Sequence, residues 1–482
     1  MLGIICNDKK NITVCRKQLQ HTKTIALPPL MSAATTPINL KVNISYKQIL
    51  QIALPISASI IVPQINFITN NIFLGRLGTL ALAVAGITGI YYLVFAVIGN
   101  GLNSGLQSLI ARRAGENNFT EIGSLFWQGV RIALAMSVLG MLATWFVAPT
   151  ILGWAMKDQN SVKIAVGFLN IRVIGLPFLY LYQLRNALLV GTNQSKFLVI
   201  GTAIEALTNI FFDYGFIYGK FGLPELGFNG AAYASIIAEI AGLLSIFFVV
   251  KNNQIINRLH LFKNRVFNIE NTRLILQQSA PLVLQFAISI ISWEFFYILI
   301  EHHGSRDLAI SNTMRNIFGF FGCFTWAFAA TTTTMVSNII GQGLQEKVIE
   351  LIQKIIHLSV GFAVTVCLFL NLFPTLFLSI YGQGTDFIQS AIPVLRVVST
   401  ALVFMSISVV WLNAVVGTGH TKINLLIEAM AIILYCNYVY FVLEKFNLSI
   451  IYGWGSEWLY WTSMLVPAYW YMKSGKWKTN KI

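Results

Sequence analysis

Charged residues are scarce in this sequence. Asp, Glu, Lys and Arg together make up 11% of the 482 residues, whereas hydrophobic residues make up 56%. A soluble domain carries about 25% charged residues, so this composition excludes a soluble globule and places the chain in lipid. Apolar runs of about 20 residues, long enough to cross a hydrocarbon core, recur at residues 49–74, 78–110, 123–151, 164–190, 197–219, 229–250, 274–300, 307–341, 351–379, 387–416, 423–443 and 449–472. We therefore predict an all-α membrane protein with twelve transmembrane helices.

Acidic residues are the scarcer charged residues, 18 against 33 Lys and Arg, which leaves a net charge of +15. The basic excess lies in alternate loops, a pattern that sets membrane topology and does not indicate a nucleic-acid partner. The other loops contain only Arg76, Lys157, Lys163, Lys220, Arg306 and Lys445. Since basic loops stay inside, both termini are predicted to be cytoplasmic, in a multi-pass protein of the plasma (inner) membrane.

Cysteine is also sparse, with five scattered residues that predict neither a disulfide framework nor a metal site. The sequence contains no His-Glu-x-x-His motif, no Gly-x-Ser-x-Gly motif and no Cys/His cluster. An intramembrane enzyme would need such a nucleophile or metal motif within a helix. We therefore predict a protein that is not an enzyme and that binds no metal or cofactor.

Two features recur at the same spacing. Residues 191–196, GTNQSK, return as residues 417–422, GTGHTK, and Pro55 returns as Pro281, both 226 positions later. Six crossings separate equivalent points, so the two halves have the same orientation and are related by a pseudo-two-fold axis along the membrane normal, with a central cleft. The predicted division is a disordered basic tail (1–45), an N-lobe of six helices (46–250), a cytoplasmic linker (251–273), a C-lobe of six helices (274–472) and a basic cytoplasmic tail (473–482).

Motifs at the ends of the predicted spans resemble those of the multidrug and toxic-compound extrusion (MATE) family over about residues 45–470. They are 54–55 LP, 73–78 FLGRLG, 112–116 RRAGE, 191–192 GT, 224–227 PELG, 230–232 GAA and 337–343 SNIIGQG. The resemblance implies an antiporter that exports amphipathic, often cationic small molecules by alternating access of the cleft. Protons or sodium ions flowing inward would drive it, and no other cofactor is implied.

Asp213 is the sharpest candidate for coupling, because an ionisable side chain inside a span is costly and is a functional candidate by default. Asn209 lies one turn earlier on the same face of the fifth span. A carboxylate beside an amide can hold a proton or contribute to a hard-cation site. The resemblance implies an N-lobe cation site that adds Asn186, and Asn70 stands where many relatives carry an acid. A site with Asp213 as its single acid leaves sodium coupling and proton coupling both open.

In the second half, Glu294 resembles the second glutamate of a motif in the seventh span of eukaryotic-type relatives. Two other acids of that C-lobe site are replaced here, by Ser289 and Met405. Glu294 is therefore a weaker candidate for coupling. Its alternative role is an ion pair with Arg315 on the neighbouring span, which would stabilise packing.

Aromatic residues in the spans could hold a flat cation in the cleft by stacking and cation–π attraction. The candidate substrate contacts are Tyr180, Tyr182, Phe286, Trp293 and Arg315. The alternative is that these side chains pack within the bundle or face lipid. Glu205 and Glu428 follow the repeated Gly-Thr turn, and we expect both to lie in water near the cytoplasmic end.

One other interpretation stays open at this point. A flippase for a lipid-linked saccharide would need a strongly basic cleft with paired arginines, and the scattered arginines argue only mildly against it. The residues do not decide between protons and sodium ions or name the exported compound. We expect a monomer in the lipid bilayer.

Overall fold

The structure is a computed structural model that describes residues 40–156, 158–259, 261–262 and 265–479. Most of the tail predicted over residues 1–45 lies outside these ranges. In the described chain, twelve long helices follow one another: α1 Tyr46–Gly75, α2 Thr79–Gly115, α3 Phe119–Ala155, α4 Gln159–Gly191, α5 Leu198–Tyr218, α6 Phe228–Asn252, α7 Ile269–Glu301, α8 Ser305–Gly341, α9 Val348–Leu372, α10 Thr385–Gly417, α11 Thr421–Val439 and α12 Ser456–Lys473.

Short helical segments connect or extend these helices. A 3-10 turn, Val173–Gly175, interrupts α4, and a π-helical segment, Tyr440–Lys445, continues α11. The remaining segments are Ser195–Phe197, Ile255–Arg258, Gln345–Lys347, Pro374–Ser379, Ile450–Trp454 and Lys476–Thr479. The predicted all-α fold of twelve helices is confirmed.

Ten helical segments among the described residues are long and apolar enough to cross a membrane. Helices α8 and α12 fall outside this set because they are more polar. In α8 the hydroxyls of Thr331 and Thr332 donate to carbonyls one turn back, at Ala327 and Phe328, with oxygen–oxygen distances of 2.7 Å. Such bonds satisfy hydroxyls inside the bundle without breaking the helix.

The helix ends repeat at the spacing found in the sequence. Helix α2 ends at Gly115 and α8 at Gly341, and both helices contain 37 residues. Each follows a glycine, Gly78 with φ of 118° or Gly304 with φ of 108°. That left-handed backbone suits glycine, which has no Cβ to clash. The equivalent helix ends lie 226 residues apart (341 minus 115), as do the two turns (304 minus 78), which agrees with a duplicated half.

The helices extend beyond the predicted apolar runs. Helix α7 begins at Ile269, inside the segment predicted as linker, and the side chain of Asn268 caps it by accepting from the amide of Asn271 at 3.0 Å. Leu261 and Phe262 of that segment contact α3, where the Trp127 indole donates to the Leu261 carbonyl at 2.6 Å. Hydropathy marks the part of a helix that suits lipid, whereas caps decide where the helix ends.

The two halves meet closely where α2 and α8 end. A Cβ added to Gly115 would lie 2.1 Å from the carbonyl oxygen of Asn338, and one added to Gly341 would lie 2.2 Å from that of Arg112. Residues 112 and 338 are themselves 226 apart, so the contact is symmetric. Arg112 is buried and donates to the carbonyls of Gly417 and Thr418 at 3.3 Å. The lobes are therefore joined backbone to backbone at this end.

Candidate functional site

Asp213 and Asn209 are buried on α5, with 1% and 6% of their surface exposed. Within the described chain, neither carboxylate oxygen of Asp213 has a hydrogen-bond partner, and the Asn209 amide nitrogen has none. An unpaired buried carboxylate is costly as an anion. The position is therefore suited to holding a proton or completing a cation site.

Helix α1 packs along α5 in this lobe. The Tyr218 hydroxyl donates to the carbonyl of Phe73 at 2.7 Å, and the Phe73 ring lies 6.0 Å from that of Tyr214. Asn70 lies on α1 one turn before Phe73. Its side-chain oxygen, like that of Asn66, is buried without a partner among the described residues. Helix α1 thus brings unsatisfied amide oxygens into the lobe that contains Asp213.

The side-chain oxygen of Asn186 accepts hydrogen bonds, unlike the carboxylate of Asp213 and the side-chain oxygen of Asn70. It accepts from the guanidinium of Arg185 at 2.9 and 3.3 Å. Arg185 also lies 3.7 Å from the ring centroid of Tyr182 and donates to the carbonyl of Gly242 at 3.3 Å. These contacts give Arg185 a packing role between α4 and α6, and they leave Asp213, Asn209 and Asn70 as the predicted residues with free polar atoms.

A buried ion pair, Arg172 with Glu239, adds charge to the N-lobe. Their closest nitrogen–oxygen distance is 2.5 Å, and the guanidinium also lies 4.1 Å from the centroid of the Tyr92 ring. Arg172 also contributes a positive charge to the electrostatic environment of Asp213. Glu239 was not among the residues predicted from the sequence. It is a lone acid in the apolar run 229–250, so the rule that selected Asp213 would also have selected it.

In the C-lobe, the candidates Glu294, Arg315 and Trp293 lie together. Arg315 contacts Glu294 with a nitrogen–oxygen distance of 3.5 Å, and all three side chains are half-buried. The guanidinium also lies 5.2 Å from the Trp293 ring centroid and 5.1 Å from that of Tyr297. The ion pair considered as the alternative role of Glu294 is therefore present in this structure.

The remaining predicted substrate contacts are less accessible. Tyr180 is 1% exposed, and the buried Tyr182 places its hydroxyl 3.1 Å from that of Thr202. Both pack within the N-lobe in this conformation. Phe286 on α7 is half-buried. A role for these three in holding the transported compound stays a prediction.

The expectation that Glu428 lies in water was wrong. It is 5% exposed and accepts hydrogen bonds from Gln285, Ser289 and Tyr460. One carboxylate oxygen of Glu205 is likewise buried. The Gly-Thr turns suggested wet helix ends, but α11 packs against α7 and α12, and this packing buries the Glu428 side chain.

Comparison with known protein families identifies the family to which this fold belongs. The MatE family profile matches the chain twice, at residues 55–215 and 281–441. The chain belongs to the MatE family. The two matches begin 226 residues apart (281 minus 55), the spacing of the repeated features. Because the family is shown by both halves, the duplication predicted from the sequence is confirmed.

Relatives and solved structures agree with this assignment. The chain is 25% identical over 424 residues to the probable multidrug resistance protein NorM of Thermotoga maritima. The aligned region covers 85% of this chain and 88% of that protein. It is 29% identical over 203 residues to the protein of the same description from Synechocystis, which covers 42% of this chain and 43% of the relative. A MATE family transporter of the MOP superfamily, solved in an outward-facing conformation, superposes with a TM-score of 0.82 at 17% identity over 91% of this chain and 98% of the other. A MOP superfamily transporter from Pyrococcus furiosus gives the same TM-score and identity over 92% and 99%. At this identity the structures establish the fold alone.

Proposed function

We propose that this protein is a secondary active antiporter that exports amphipathic, often cationic drugs or metabolites in exchange for inward protons or sodium ions. It works as a monomer in the plasma membrane by alternating access of the cleft between its lobes, with both termini cytoplasmic. The relatives described as multidrug resistance proteins support the class of compound. No cofactor other than the coupling ion takes part.

The observation that carries the proposal is the unpartnered carboxylate of Asp213 within a duplicated transporter fold. Burying such a group costs several kcal/mol unless a proton or a cation neutralises it. Asn209, one turn earlier on α5, and Asn70, on the neighbouring helix α1, are the amides proposed to complete the ion site. Binding and release of the neutralising ion changes the charge of the lobe, which gives an ion gradient a means to drive the change of access.

The test is export of ethidium, a flat fluorescent cation, from liposomes containing the purified protein. Proton and sodium gradients are imposed separately on wild type, Asp213→Asn and Glu444→Gln. Glu444 is the matched control because it is an exposed acid that pairs with His302 outside the N-lobe. We expect one gradient to drive export in wild type and Glu444→Gln, and neither to do so in Asp213→Asn. Undiminished export by Asp213→Asn would contradict the proposed role of Asp213.

A lipid-linked saccharide flippase is the second candidate, and the arginines weigh against it. A pyrophosphate group would need free guanidinium groups in the cleft. Arg172 is instead neutralised by Glu239, and Arg185 is occupied by Tyr182, Asn186 and the Gly242 carbonyl. Absence of ethidium export under both gradients would favour the flippase.

A further inference from the structure

A buried polar network in the C-lobe centres on Glu428 of α11. Its carboxylate accepts from the Ser289 hydroxyl and the Gln285 amide, both on α7, and from the Tyr460 hydroxyl of α12 at 2.8 Å. The amide of Asn424, one turn earlier on α11, donates to the side-chain oxygen of Gln285. Three helices of the C-lobe are thus joined through one acidic side chain.

Only neutral donors surround this acid. Its hydrogen bonds come from Ser289, Gln285 and Tyr460, and no Lys, Arg or His of the described chain forms a salt bridge with it. The other titratable groups near it are Tyr435, whose ring lies 5.5 Å from that of Tyr460, and Glu457, which acts on Tyr460. Neither supplies a positive charge. An acid buried without a cation is readily neutralised by a proton.

Ser289 gives the network two stable arrangements. Its hydroxyl lies in hydrogen-bond range of the carboxylate and also 2.9 Å from the Gln285 carbonyl, but it has only one hydrogen to donate. When Glu428 is ionised, Ser289 donates to the carboxylate. When Glu428 takes a proton from water, its new O–H bond donates to the Ser289 oxygen, and the Ser289 hydrogen turns to the Gln285 carbonyl. Release of the proton to water reverses both changes.

A second observation shows that the network is incomplete as it stands. The side-chain oxygen of Asn424 has no partner in the part of the chain that the structure describes, although the residue is 1% exposed. Such a buried acceptor costs free energy until a donor reaches it. Ser289 and Tyr460 are half-buried, so the network reaches an accessible surface of the C-lobe.

The site has no counterpart in the other lobe. At the 226-residue spacing Glu428 corresponds to Thr202, and Asp213 corresponds to Val439. Along equivalent helices, the positions of Glu428 and Asp213 therefore lie about 16 Å apart parallel to the helix axis.

We infer that Glu428 is a proton-exchange site of the C-lobe, with Ser289, Gln285, Tyr460 and Asn424 as its hydrogen-bond partners, and that it carries a proton in addition to the one at Asp213. This second role rests on the proposed function with protons as the coupling ion.

Infrared difference spectroscopy tests the site without a transported compound. A pH titration of the purified protein should show a protonated-carboxyl band that is present in wild type and Glu444→Gln and lost in Glu428→Gln. Ser289→Ala, which retains the carboxyl group, should keep the band with a shifted midpoint, which a purely structural acid would not show. A spectrum unchanged by Glu428→Gln would overturn the inference. Loss of the band on adding sodium ions at constant pH would identify a sodium site and also overturn it.

Transport then tests the coupling. In liposomes with a proton gradient, roughly half as many protons should move with each ethidium ion in Glu428→Gln as in wild type, because one of two acidic carriers remains. An unchanged ratio would contradict the role in coupling. If wild type moves no ethidium under either gradient, the proposed function fails, while the infrared titration still decides whether Glu428 exchanges a proton. Elution of each variant as a folded monodisperse species is the condition for both comparisons.

Discussion

The ion pair between Arg172 and Glu239 is largely buried and links α4 to α6. Removing one partner of a buried pair leaves an uncompensated charge, which costs about 3–5 kcal/mol. We therefore expect Glu239→Gln to lower the melting temperature of the detergent-purified protein. The measurement is a thermal unfolding curve followed by tryptophan fluorescence.

A double variant separates charge from packing. Arg172→Met combined with Glu239→Gln leaves no unpaired charge and should melt above Glu239→Gln alone. If both variants melt at the same temperature, the loss comes from packing, and the ion pair does not stabilise the lobe as argued. Glu444→Gln, which removes an exposed charge, should melt like wild type.

At the scale of residues, the sequence indicated the groups but, apart from Glu294 with Arg315, not their partners. Asp213 and Asn209 were found because their spacing on one helix is fixed by the turn. The engagement of Asn186 by Arg185 and the burial of Glu428 were not predictable. The first depends on the side-chain conformations of two neighbouring residues of α4 and the second on contacts between helices, and the sequence pattern encodes neither.

Within helix α4, Gly175 has a steric role at the 3-10 turn. An added Cβ would lie 2.5 Å from Nη1 of Arg172 and 2.9 Å from Oε2 of Glu239. Gly175→Ala should therefore displace the ion pair and lower the melting temperature. Gly167→Ala is the matched control in the same helix, since no atom lies within 4 Å of its Cβ position. It should be neutral or stabilising by up to about 1 kcal/mol. Equal melting of the two variants would show that Gly175 is not needed for space.

At the scale of elements, the number and order of helices followed from hydropathy, because a span needs about 20 apolar residues. The ends did not, since Asn268 and similar caps lie outside the apolar runs. The interruption of α4 at Val173–Gly175 also went unpredicted. Pro177 lies in the first turn of the helical segment that follows, and a proline has no backbone N–H with which to continue the hydrogen bonding of the preceding turn.

For the whole molecule, the repeated features predicted two lobes in the same orientation, and the double family match agrees. The sequence did not indicate where the lobes touch. The contact of Gly115 with Asn338 and of Gly341 with Arg112 joins the two halves at one end of α2 and α8. The proposed alternating access would require such a contact to form and separate, so we expect its glycines to govern the balance between conformations.

Gly341→Ala tests this balance, because its Cβ would lie 2.2 Å from a backbone oxygen that cannot turn aside. We expect the lobes to separate at this end. Spin labels at cysteines replacing Asn117 and Leu344, in a cysteine-free background, should then report a longer distance between the two labels. Ethidium export should fall at least about tenfold if the free-energy difference between the conformations shifts by 1.4 kcal/mol. Gly319→Ala in the same helix, with no atom within 4 Å, should match wild type. Wild-type distances in Gly341→Ala would show that this contact does not hold the lobes together.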